Sequence, residues 1–299
     1  MRGVAKRKRK SIRSVDPRPE GNRMRVFLRM LAVVVGAFVL LFTQIDGKPA
    51  GKPSDPGVPD ANEEANPVQA GPRPVVPISA DYRIPILMYH DIGSPGAALV
   101  VTPETFEEEM RALSTAGYEA VTMDDLLLSL HGDRLWLPEK GVAITFDDGY
   151  QGVYRWAYPV LRNLGFRATV FVVTGLIGKD DYLTWDQVRE LAAEGWAVGS
   201  HAVHHVDLRT LGDSQLRTEL LVSKKAILDL AGREALSFCY PSGKYNSSVV
   251  KAVKEAGYLG AVTTEPGWAK GSDAPFTLKR VRIDGRDGLQ AFRAKLSIP

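Results

Sequence analysis

Two short polar strings stand out along the chain. Asp147-Asp148-Gly149 directly follows the apolar run Val142–Phe146, and His201-Ala-Val-His204-His205 follows Trp196–Ser200. Adjacent carboxylates next to an apolar segment repel one another if both are buried and unpaired. A bound cation removes that conflict. One Asp then serves as a ligand and the other as a proton acceptor, while Gly149 lets the backbone turn tightly. Taken alone, an Asp at a strand end equally fits a helix cap. The histidines favour the metal. The chain has five His, and three of them fall within five positions. Neutral imidazole is a common metal ligand. His201 and His205 with one of the two Asp residues make three ligands, the number that leaves a catalytic zinc-type site open to water. Ala202 stands where the metallopeptidase H-E-x-x-H string has Glu, so that chemistry is not indicated. His204 is a bystander or a support. His90, after Ile86–Tyr89, would donate the proton that a departing amine requires, and Asp91 beside it either orients the ring or holds a simple surface role. His131 has no comparable setting and reads as a loop residue.

The elements that must position these groups alternate. Strand-like runs are expected at 84–89, 119–122, 142–146, 168–173, 196–199, 236–240, 259–263 and 277–283. Helices are expected at 103–116, 123–130, 151–164, 185–194, 214–230, 247–256 and 289–296. Such alternation points to an α/β fold with a parallel sheet and outer helices. A distorted (β/α) barrel of about seven parallel strands fits best, with an open doubly wound sheet as runner-up. No G-x-G-x-x-G string follows the first strand, which weakens a nucleotide-binding reading. His90, Asp147, Asp148, His201, His205 and Pro241-Ser242-Gly243 all fall at the C-terminal ends of expected strands. In a barrel those ends form one catalytic face.

The 299-residue chain is 44% hydrophobic and 24% charged, enough for a sizeable core. Its net charge of +3 is unevenly spread, because ten Lys and Arg within residues 1–25, against Asp16 and Glu20, leave the rest at −5. A mildly acidic body argues against nucleic-acid binding. Residues 26–45 hold the apolar run Met30–Ile45, extended by Val26–Leu28, close to the ~20 residues of a membrane span. The basic tail at 1–25 then orients an uncleaved anchor with the body outside the cytoplasm, a cleaved signal peptide being the alternative. Residues 46–80, rich in Pro, Gly and Ala, read as a flexible linker and residues 81–299 as the catalytic domain. Cys239 is the single cysteine, so no intrachain disulfide exists, and it reads as a small buried residue at a strand end.

These strings resemble the polysaccharide deacetylases, a carbohydrate esterase family, over roughly residues 82–284. Thr145-Phe-Asp-Asp-Gly149 resembles the first family motif, His201-Ala-Val-His-His205 the second, and Phe238-Cys-Tyr-Pro-Ser-Gly243 the third. The resemblance implies that Asp148, His201 and His205 hold one divalent metal, that Asp147 is the general base, and that His90 is the acid. It also implies an oxyanion or substrate-binding role for the Tyr240, Pro241, Ser242 and Gly243 segment, through the backbone N–H of Ser242 or Tyr240. Several positions depart from the pattern. Ala202 replaces Ser or Thr, Ser242 replaces Tyr, and Cys239 stands where many members carry an Arg that orients the catalytic Asp. No His follows His205. The early Met88-Tyr89-His90-Asp91 string instead resembles the permuted subgroup that includes poly-N-acetylglucosamine deacetylases, which leaves Arg280 or Arg282 to orient the Asp.

The expected activity is therefore hydrolysis of N-acetyl groups on an extracellular amino-sugar polymer, poly-N-acetylglucosamine or a related exopolysaccharide first and peptidoglycan second. Zinc fits the ligand set, and cobalt, nickel or iron would bind the same ligands. The rival readings are a carbohydrate-binding domain that has lost catalysis and a metal-dependent amidase acting on cell-wall peptide. Trp185, Tyr245 and Trp268 are aromatic residues able to stack on sugar rings, with core or loop packing the favoured role for each taken singly.

Overall fold

In the computed structural model, residues 75–132 and 136–298 are described. The basic tail at 1–25, the apolar run at 26–45 and the linker up to residue 74 lie outside them. Among the described residues no helix is long and apolar enough to cross a membrane. The last part of the expected linker, Val75–Pro77, pairs antiparallel with Trp136–Pro138.

The core is a closed parallel barrel. Its strands are β1 (Ile86–Tyr89), β2 (Gly141–Phe146), β3 (Thr169–Val172), β4 (Ala197–Ser200), β5 (Ser237–Cys239), β6 (Gly260–Pro266) and β7 (Leu278–Arg282). They lie side by side in chain order, and pairing of β1 with both β7 and β2 closes the ring. Glu119–Val121 adds one strand outside β2. The ring is uneven. β4 and β5 share the single pair Ser200↔Phe238, and the β6–β7 register shifts between Val262 and Pro266. The expected barrel of about seven parallel strands is what forms, and the open sheet is excluded by the β1–β2 closure.

Among the described residues, seven α-helices pack around or beneath the barrel: α1 (Pro103–Thr115), α2 (Met123–Leu130), α3 (Tyr158–Asn163), α4 (Trp185–Ala193), α5 (Asp213–Ala231), α6 (Ser247–Glu255) and α7 (Leu289–Leu296). A π-helical turn, Val153–Ala157, leads into α3. Local chemistry sets their starts. Thr102 caps α1 ahead of Pro103, and Thr122/Asp125 and Thr184/Gln187 form capping boxes on α2 and α4.

The two-residue period of the strands separates two cores. Leu87, Tyr89, Val142, Ile144, Phe146, Val170, Val172, Val198 and Phe238 belong to the larger cluster between barrel and helices. The alternate residues Ile86, Ala143, Phe171, Cys239, Val262 and Leu278 join Leu126 and Leu127 of α2 in the second. Helix α2 therefore plugs the barrel. Leu127 comes so close to β6 that a Cβ on Gly260 would lie 2.3 Å from its Cδ2. Side chains further along the inward-facing register reach the other end, where the polar residues gather.

Buried acidic side chains also lie outside that end. Glu109 of α1 is fully buried, accepts a 2.7 Å hydrogen bond from the Tyr89 hydroxyl through Oε2, and has no partner for Oε1. Burial pushes its pKa up from 4.5 to about 7, against the opposing pull of the Tyr89 hydrogen bond. Between those values the unfolded chain has lost this proton and the folded chain keeps it, so stability falls as pH rises through the window. Replacing Glu109 with Gln removes the dependence. Urea unfolding is expected to find the variant's stability relative to the parent about 3 kcal/mol more favourable at pH 8 than at pH 4.

Candidate active site

Asp147, immediately after β2, continues the inward register of Ala143 and Thr145 and is 2% exposed. Its carboxylate is gripped by Arg280 of β7. Nη1 donates to Oδ1 at 2.8 Å and Nη2 to Oδ2 at 2.7 Å. The guanidinium is itself 1% exposed, and every remaining direction is used: Nε donates to the Thr263 carbonyl at 2.8 Å, Nη1 to Thr145 Oγ1 at 3.1 Å and Nη2 to Cys239 Sγ at 3.3 Å. The Cys239 thiol in turn donates to Asp147 Oδ2 at 3.5 Å, and burial pushes its pKa up, so it stays a thiol. Burial works against ionisation of Asp147. The charge and hydrogen bonds of Arg280, with His90 and His201, outweigh it and hold the carboxyl well below the usual range.

Asp148 leaves the strand with φ +72°, in the left-handed region. This turns its side chain to the same mouth as Asp147 rather than to the outer face. Gly149 (φ +83°) continues the turn, and a Cβ there would meet Ile177 Cδ1 at 3.0 Å. Asp148 Oδ1 lies 3.4 Å from His201 Nε2 and 3.5 Å from His205 Nε2. His201 donates from Nδ1 to the Cys239 carbonyl at 2.6 Å, which orients the ring with Nε2 toward Asp148. Burial, then His201, lowers the His205 pKa and favours the neutral ring. The donor atoms lie within 4.8 Å of one another. Tetrahedral bonds of about 2.0–2.2 Å put ligand atoms about 3.3–3.6 Å apart, and both Asp148–His distances fall in that range, so the donor set suits a divalent ion.

His90 Nε2 is 4.0 Å from Asp147 Oδ2. Burial lowers its pKa, with Asp147 and Asp148 acting in opposition. Its Nδ1 is buried without a partner. Asp91 does not supply one, correcting the expectation that it orients this ring. Its carboxylate accepts the Ile92 N–H at 2.9 Å and the Gly152 N–H instead. Of the two arginines considered, Arg280 holds Asp147. Arg282 lies two residues further up β7, its side chain half exposed, 3.8 Å from Asp284. In the oxyanion segment, the Tyr240 amide donates to Val262 O at 3.4 Å and the Gly243 amide to Tyr240 O at 2.8 Å, while Pro241 has no N–H. Ser242, at φ +54°, carries the one N–H of the remaining three without an internal acceptor. These groups line one cavity of about 320 Å³ that includes His90, Asp147, Asp148, His201, His205 and Ser242. His131 lies apart, bonding the Leu259 carbonyl through Nε2 at 2.7 Å. Trp185, Tyr245 and Trp268 pack against the core.

Sequence reading assigned no role to Thr145 and gave Cys239 only a filler's place. Their contacts to Arg280 span 135 and 41 residues and leave no local signal. The buried pair gives a sharp stability test. Arg280→Met is expected to lower the unfolding free energy by about 3–5 kcal/mol, because it leaves an uncompensated charge in the barrel. Arg280→Met combined with Asp147→Leu is expected to recover most of that loss, as measured by chemical denaturation.

Comparison with known proteins agrees with this geometry. The polysaccharide deacetylase family model matches residues 136–261. The polysaccharide deacetylase-like protein YxkH of Bacillus subtilis is 39% identical over 212 residues, 71% of this chain and 75% of its own. A peptidoglycan-N-acetylglucosamine deacetylase of Bacillus cereus is 34% identical over 121 residues, 40% of this chain and 54% of its own. The poly-β-1,6-N-acetyl-D-glucosamine N-deacetylase of Escherichia coli K12 is 24% identical over 240 residues, 66% of this chain and 35% of its own. Among solved structures, the Streptococcus pyogenes deacetylase PplD in complex with acetate superposes with a TM-score of 0.68 at 29% identity, covering 72% of this chain and 98% of that one. The chain belongs to the polysaccharide deacetylase family, hydrolases that act on N-acetyl groups.

Proposed function

We propose that the protein removes acetyl groups from N-acetylglucosamine units of an extracellular polymer, with poly-β-1,6-N-acetylglucosamine the preferred substrate. The observation that carries this reading is the convergence of His90, the Asp147–Arg280 pair and the Asp148/His201/His205 set on one cavity. The early His90, with no His after His205, supports the poly-N-acetylglucosamine choice over peptidoglycan, and the E. coli relative supports it further. The B. cereus relative supports peptidoglycan as the second reading. The basic residues before the apolar 26–45 run support a chain anchored there with its body outside the cytoplasm.

Asp148, His201 and His205 would hold one divalent ion, for which zinc is the proposed occupant. When bound, such an ion polarises an acetyl carbonyl and lowers the pKa of water. The chain's own groups do the rest. Asp147, kept ionised by Arg280, takes the proton of the attacking water. His90 delivers a proton to the departing sugar nitrogen. The Ser242 amide points its dipole at the carbonyl oxygen as charge develops there, a contribution worth roughly 3–4 kcal/mol where such donors have been removed.

Acetate release by the full chain with zinc tests the reading. Poly-β-1,6-N-acetylglucosamine is expected to yield acetate faster than peptidoglycan. Asp147→Asn is expected to lose at least about a hundredfold in rate while its zinc affinity stays near the parent's. Faster release from peptidoglycan would reverse the substrate order. A new peptide amine without acetate would identify an amidase. Zinc binding with neither product from either polymer would point to a carbohydrate-binding domain.

A further inference from the structure

The loop that carries both histidine ligands does not hold its shape by its own backbone preference. Ala202 and His205 adopt φ +65° and +55°, in the left-handed region. Residues with a Cβ avoid that region unless their surroundings impose it. On one side the imposing contacts are backbone ones: Thr174 N–H donates to the Ala202 carbonyl at 3.2 Å and Gly175 N–H to the Val203 carbonyl at 2.9 Å. On the other side stands a single carboxylate. Glu219 of α5, 7% exposed, accepts the Val203 N–H at 2.8 Å and the His204 N–H at 3.0 Å on Oε2, and His204 Nδ1 lies 2.6 Å from Oε1. One helical turn later, Ser223 accepts a 2.8 Å hydrogen bond from Ser200 Oγ, which itself accepts the Ala202 N–H. Helix α5 thus grips the loop at two points.

We infer that Glu219 is the positioning residue of the metal site, fixing the 201–205 loop so that His201 and His205 face Asp148. The inference rests on reading those three residues as metal ligands. The grip runs mainly through the two backbone amides. The His204 ring is 67% exposed, and its part is to complete the charge-assisted contact. Without Glu219 the two N–H groups lose their acceptor and the left-handed residues are free to relax. The imidazoles then spread, and the site loses preorganisation rather than a ligand.

The test measures zinc dissociation constants of the full chain by chelator competition, together with the visible spectrum of the cobalt form. Glu219→Ala is expected to weaken zinc roughly tenfold to hundredfold, as loss of a ligand's supporting partner does, with altered cobalt bands. Glu219→Gln keeps an amide oxygen for the two N–H groups and is expected to fall between it and the parent. His204→Ala is expected to stay closer to the parent than Glu219→Gln. Leu216→Ala, a buried apolar truncation on the same helix, controls for general destabilisation and is expected to leave zinc affinity at the parental value. A folded Glu219→Ala chain with parental zinc affinity overturns the inference, as does an equal loss in Leu216→Ala. Should Glu219→Ala not fold, parental affinity in Glu219→Gln overturns it. A parent chain that binds no zinc removes the metal reading, and this inference with it.

Discussion

A guanidinium and a carboxylate, both almost fully buried, meet inside the barrel, and much of the site is arranged to make that meeting tolerable. Removing two such ions from water costs several kcal/mol each, which their attraction offsets only when geometry and hydrogen bonding are good. Arg280 and Asp147 satisfy that condition with a two-point contact, and the leftover donors are taken by Thr263, Thr145 and Cys239. The small Cys239 matters here. At Cys239, where the family resemblance leads to the expectation of an Arg, stands a thiol, and the charge arrives from β7 instead of β5. The cation serves Asp147 from a different strand.

The pair also explains how neighbouring acids divide their work. Strand geometry sends successive side chains to opposite faces. Asp147 keeps the inward register, while Asp148 comes to the same mouth through its left-handed backbone and the turn at Gly149. Asp147 is tied to a fixed cation and stays ionised. Asp148 faces two imidazoles whose nearer nitrogens lie 3.4 and 3.5 Å away. A carboxylate held low is a weak base by itself, but it is always in the form that can accept a proton. His90, 4.0 Å from it and lowered in pKa by burial, faces it across the same mouth.

Much of this was legible in the sequence because it is local. The β/α alternation gave the barrel, since periodicity and capping residues such as Thr102, Thr122 and Thr184 act within a few positions. The aspartate and histidine strings fall at strand ends for the same reason. What depended on depth and distance was not legible. Arg280 and Arg282 share the inward face of β7, so the pattern could not choose between them. The structure separates them by level, with Arg280 at the height of Thr145 and Asp147 and Arg282 at the half-exposed rim. Asp91 adjoins His90 in sequence, yet its carboxylate turns to the amides of Ile92 and Gly152. Tyr240's amide is consumed by the barrel ladder. The grip of Glu219 on the histidine loop spans 15 and 16 residues and leaves no motif.

Arg280 keeps Asp147 ionised inside the barrel, and the chemistry of the site turns on that contact. The direct measurement follows the Asp147 carboxylate carbon by nuclear magnetic resonance as pH is lowered, with the signal assigned by its absence in Asp147→Asn. The expected result is a carboxylate that remains ionised through the ordinary aspartate range near ~3.9, and that moves upward when Arg280 is replaced by Met. An Asp147 that takes up its proton at or above that ordinary value in the parent chain would contradict the account.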